Sequence, residues 1–147
     1  MSSAKTEQSE SGRRIASVTH VAMLASIGLY AGLLCLARPA ALEGPGRPQL
    51  SSILLAVGLA EYAGATLLGR RLLMAAAGRP GAADRVRRYF LIRFAAAEAI
   101  AVFGLVAGFK GAPAADSAIL FAISAVALIA AAPTRRAWAS AWRSTGG

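Results

Sequence analysis

Two glutamates stand inside apolar runs. Glu98 lies in FAAAEAIAVFGLVAGF, Phe94 to Phe109, where fifteen of sixteen residues are apolar. Glu61 lies in LAEYAGATLLG, Leu59 to Gly69. An ionised carboxylate in an apolar layer is costly, so it is protonated, paired, or turned to a polar cavity. The chemistry open to it is to bind a proton or a small cation. Glu98 is ten residues from Arg88 and twelve from Lys110, which places it near the middle of its run. With Pro80 as the apex of a hairpin, Glu61 lies nineteen residues before it and Glu98 eighteen after. At about 1.5 Å per helical residue the two share a depth. If both face the hairpin interface they approach each other. Two close carboxylates cannot both ionise cheaply, so such a pair would share a proton or hold a cation such as Na⁺. Two inert alternatives stand beside this one. The first is an ion pair with Arg93. However, five residues at about 100° each turn Arg93 about 140° away from Glu98, and Arg93 is better read as snorkelling toward the surface near Arg88. The second is a protonated glutamate bonding a backbone carbonyl, as polar glue between helices.

The elements that must position these residues follow from the apolar blocks Ile15–Ala37, Ile53–Leu68, Tyr89–Phe109 and Ala118–Ala132. A span needs roughly 20 mostly apolar residues. The blocks predict four spans, at about 15–37, 50–70, 88–109 and 116–133. The expected fold is all-α: an integral membrane four-helix bundle of two antiparallel hairpins, occupying residues 13–136. The net charge of +9 would suggest nucleic acid on a soluble chain, but its placement makes that unnecessary. Twelve of the sixteen Lys and Arg lie in the N-terminal segment, the second connection and the C-terminal segment. Only Arg38, Arg47 and Lys110 lie in the first and third connections. Positive residues stay cytoplasmic, so both termini and the second connection are expected inside, in a bacterial inner membrane.

Residues 1–12 are polar and aperiodic and read as a disordered tail. The connection RPAALEGPGRPQL reads as an external loop, GRPGAAD at 78–84 as a cytoplasmic turn, and GAP at 111–113 as a short external one. Residues 137–147 read as a cytoplasmic or interfacial tail, with Trp138 and Trp142 beside arginines as an interfacial anchor. Ala56, Ala60 and Gly64 recur every four positions, a groove for close approach of another helix. SSILLAVG and SAILFAIS resemble each other, a hint of duplicated hairpins. The single cysteine, Cys35, cannot form an intramolecular disulfide. His20 reads as a packing or interfacial residue. No metal-ligand cluster, cofactor motif, nucleophile constellation or phosphate loop appears, so enzyme chemistry of its own is not expected.

From Gly58 to Phe109 the chain resembles the hairpin of the rotary ATPase ring proteolipid, subunit c. Gly78-Arg79-Pro80 is similar to that family's cytoplasmic turn, and AEAIAVFGLV, Ala97–Val106, to its carboxylate-bearing outer helix. The resemblance implies that Glu98 carries the ion, protonated toward lipid and deprotonated beside an arginine of another subunit. It also implies that Arg79 and Pro80 contact a partner, and that copies of the chain assemble. LAEYAGATLLG is similar to the glutamate-bearing helix of small multidrug resistance exporters, which would make Glu61 the carrier. The expectation is therefore an ion-translocating, proteolipid-like subunit in the lipid bilayer, a homo-oligomer that meets other membrane subunits. The alternative is a small membrane protein whose polar residues only fix packing or bind a partner.

Overall fold

The computed structural model describes residues 3–37, 48–75 and 81–145. It is all-helical: α1 (Ser3–Ala37), α2 (Pro48–Ala75), α3 (Ala82–Phe109), α4 (Ala114–Ala130) and α5 (Arg135–Ser144), with no strand among the described residues. Three segments are each long and apolar enough to cross a membrane: Glu7–Ala37, Gln49–Ala75 and Ala82–Phe109, with mean hydropathy 1.8, 1.5 and 2.0 over an 18-residue stretch of each. The fourth block behaves differently. α4 has 17 residues, about 25 Å at the usual rise, short of a hydrocarbon core of about 30 Å. It joins α5 through a 65° bend, and the pair counts as a fourth candidate if taken as one broken span. Pro133 explains the break, since it lacks an N–H and cannot continue the helix. Thr134 then caps α5 by accepting from the Ala137 amide at 3.2 Å.

α3 is the centre, packing against α1, α2, α4 and α5. Its buried residues include Phe90, Phe94, Ala97, Ile100, Ala101, Gly104 and Ala107. Side chains of small size on α3 let the neighbours in. A Cβ at Gly104 would stand 3.0 Å from Leu120 Cβ and 3.2 Å from the Ser117 carbonyl oxygen, so α4 lies directly on α3 there. The turn after α3 closes with Gly111 at φ 83°, the left-handed conformation glycine adopts without strain. The Ala112 amide then reaches back to the Ala107 carbonyl at 3.0 Å.

The polar N-terminal segment forms the start of α1, which begins at Ser3. Tertiary packing outweighs the polar composition here. Trp138 Nε1 donates to Ser9 Oγ at 3.0 Å, and a Cβ at Gly12 would meet the Trp138 ring at 3.2 Å. The C-terminal segment is likewise helical, and Trp138 stacks on Phe90 at 5.5 Å. The start of α1, the start of α3 and α5 thus share one end of the molecule. The outward surface is strongly apolar, with Leu29 70%, Leu36 89%, Leu67 63% and Val126 66% exposed. Water would not favour so extensive an aliphatic surface, whereas lipid does.

Candidate functional site

The central helix presents two different polar faces, separated as a helix of 3.6 residues per turn requires. Glu98, half-buried, turns to α1. Its Oε1 accepts from Tyr30 Oη at 3.0 Å, and lies 2.7 Å from Ser26 Oγ. Ser26 Oγ is also 2.7 Å from the Met23 carbonyl oxygen one turn back on its own helix. Ser26 and Tyr30 are four apart, so they stand on one face of α1 one above the other. The same seam holds two further polar links. His20 Nε2 donates to the Leu128 carbonyl at 2.9 Å, with its ring 5.2 Å from that of Phe94. Ser124 of α4, fully buried, donates to the Ala97 carbonyl at 2.7 Å.

Arg93 turns the other way, to α2. Its Nη2 donates to Tyr62 Oη at 3.3 Å and its Nη1 to Tyr89 Oη at 3.5 Å, and the guanidinium carbon lies 5.5 Å from the Tyr89 ring centre. Tyr62 Oη in turn donates to the Ala127 carbonyl at 3.2 Å. Arg93 Nε is buried without a partner. Arg93 and Glu98 therefore do not pair.

The structure does not bring Glu61 and Glu98 together. Glu98 bonds to α1, while Glu61 is exposed on the surface of α2. The α2 residues against α3 include Gly58 and Gly69, where a Cβ would come 3.0 Å from Ile100 Cγ1 and Tyr89 Cδ2. Ala56, Ala60 and Gly64 lie on the exposed side, with nothing within 4 Å of a Cβ at Gly64. Arg79 and Pro80 lie outside the described residues.

Sequence reasoning missed Ser26 and Tyr30 as partners of Glu98. Their signal was present: two hydroxyl residues at helical spacing within the otherwise apolar run Val21–Ala37. Among the described residues, no group of three or more His, Cys, Asp or Glu is placed to hold a metal ion. What the seam can do is donate and accept protons through oxygens. Comparison with protein-family models, with curated proteins and with solved structures finds no match to this chain.

Proposed function

We propose that this chain is a multi-pass membrane subunit that holds an exchangeable proton on Glu98. One observation carries the reading: two hydroxyls meet one oxygen of that carboxylate. Tyr30 and Ser26 both donate to Oε1, at 3.0 and 2.7 Å, and Ser26 shares its proton with the Met23 carbonyl. An acceptor oxygen is present in the acid and in the carboxylate alike, so a proton on Oε2 leaves both bonds in place. The neutral acid also avoids the cost of a charge in an apolar layer. Loss of that proton leaves a carboxylate with both hydroxyl donors in place. A carboxyl supported in both states is what proton or Na⁺ carriage requires.

On this reading four spans place both termini on the cytoplasmic side of a bacterial inner membrane, with the arginine-rich end inside. The exposed stripe of Ala56, Ala60 and Gly64 serves contact with a further copy or another membrane subunit. A second reading has its own support. The partners of Glu98 lie on another helix of the same chain, so the glutamate also ties α1 to α3 and serves packing alone if no ion moves.

The test is reconstitution in liposomes carrying a pH-sensitive dye, with an imposed ion gradient. Wild-type protein is expected to give coupled proton flux, Glu98→Gln none, and Glu61→Gln wild-type flux. Equal flux from wild type and Glu98→Gln, with both proteins assembled, removes the carrier role. Flux lost only in Glu61→Gln would move the role to the exposed glutamate of α2.

A further inference from the structure

A cleft of about 430 Å³ lies where α2, α3 and α5 meet, at the arginine-rich end. Its polar lining is Thr66 and Arg70 of α2, Tyr89 and Arg93 of α3, and Ser140 and Ser144 of α5. Its apolar lining includes Leu73, Met74 and Phe90. The volume falls in the range of roughly 300–1,000 Å³ typical of small-molecule sites. No carboxylate is among its lining residues.

The charge there is not balanced from within. Among the described residues Arg93 bonds only neutral phenols, at 3.3 and 3.5 Å, longer than the roughly 2.7–2.9 Å of charge-assisted bonds. Its Nε and the Thr66 hydroxyl are both buried without partners. Buried donors without acceptors, beside two guanidinium groups, call for an anion with several acceptor oxygens. Thr66 of α2 and Ser140 of α5 add hydroxyl donors from two further directions, while the Ser144 hydroxyl donates to the Ala141 carbonyl at 2.7 Å. A tetrahedral phosphate matches such a convergent set, and guanidinium forks fit it bidentately. Leu73 and Met74 offer apolar contact to whatever the phosphate carries.

We propose that this cleft binds a phosphate group, carried by a membrane phospholipid whose acyl chains run along Leu73 and Met74. The cleft opens where α2 ends and α5 turns, the level at which headgroup phosphates meet a protein whose helices cross the bilayer. It is separate from Glu98, which faces α1, and stands whether or not that glutamate carries a proton.

The experiment is native mass spectrometry of the full chain released from nanodiscs of mixed phosphatidylglycerol and phosphatidylcholine, with a parallel titration of inorganic phosphate followed by phosphorus NMR. Wild type is expected to retain phosphatidylglycerol. Arg93→Gln is expected to retain it roughly ten-fold less or weaker still, the factor for one lost charge-assisted hydrogen bond. Arg70→Gln, at an exposed position, keeps the test valid if Arg93→Gln fails to fold, and is expected to act in the same direction. Retention of lipid without binding of inorganic phosphate assigns the phosphate to the bilayer. Binding of inorganic phosphate, lost in both variants, assigns the same site to a free phosphate. Equal lipid retention in wild type and Arg70→Gln, with no phosphate binding, overturns the proposal.

Discussion

Replacing Glu98 separates a neutral acid from a carboxylate without any transport assay. Glutamine is nearly isosteric with protonated glutamate. With its amide oxygen in the place of Oε1 it accepts from Tyr30 and Ser26, as the neutral acid does. Both contacts to α1, at 3.0 and 2.7 Å, then survive. Glu98→Gln is therefore expected to change stability by less than about 0.5 kcal/mol, the scale of a neutral exchange. Glu98→Leu removes both links from the carboxyl to α1. Interhelical polar contacts in membranes average about 0.6 kcal/mol and reach about 1.7, so losing two costs about 1–3 kcal/mol. Tyr30 Oη is also left without its acceptor. The assay is reversible unfolding in mixed micelles, followed by helical circular dichroism. Tyr30→Phe combined with each variant forms a cycle, in which the coupling of Tyr30 to position 98 should persist with Gln and vanish with Leu. A Glu98→Gln variant as unstable as Glu98→Leu would refute the neutral acid, because it would mean that the native contacts need the charged form.

Other outcomes follow from particular contacts. Gly104→Ala should push α4 from α3 and cost about 1–3 kcal/mol of stability, since Leu120 Cβ and the Ser117 carbonyl crowd a Cβ there. Gly64→Ala, with open space around it, should unfold like wild type in the same micelles. Trp138→Phe keeps the ring against Phe90 but loses the bond to Ser9; hydrogen exchange at residues 7–12 should rise while that of α3 stays unchanged. Cys35 is exposed near the end of α1, so an impermeant maleimide added to intact cells should label it from outside. Labelling only in inverted vesicles would reverse the proposed orientation.

Apolar run length made the helices legible, because a helix that meets lipid must be apolar along most of its length. Charge placement separated the two ends for a similar reason: arginines avoid the apolar layer. Depth was also readable, as it follows from residue counting. Azimuth was not. The shared depth of Glu61 and Glu98 suggested a pair, yet α2 meets α3 through Gly58 and Gly69. Glu61, about 100° round the helix from Tyr62, is left on the surface. The partners of Glu98 are 68 and 72 residues away in sequence, and nothing local announces such a pairing. The same holds for the polar start of α1. It is polar and aperiodic, and the tryptophan that bonds it lies 129 positions later. The break at Pro133 was visible as a residue, but the short α4 before it was hidden by an alanine run that stays apolar up to the proline.

The links from α1 to α4 and α5 bear on how the molecule assembles during synthesis. His20 bonds a residue 108 positions later, and Ser9 one 129 positions later. Chains emerge N-terminus first, at about 5–20 residues per second. α1 therefore enters the bilayer many seconds before its partners on α4 and α5 exist. Until then His20 and Ser9 lack their partners, whereas Ser26 and Tyr30 can meet Glu98 as soon as α3 is made. A chain halted after α3 should therefore hold the middle of α1 against α3 while the start of α1 stays loose. Quality-control proteases would find their first opening at that start, far in sequence from any change that weakened α5.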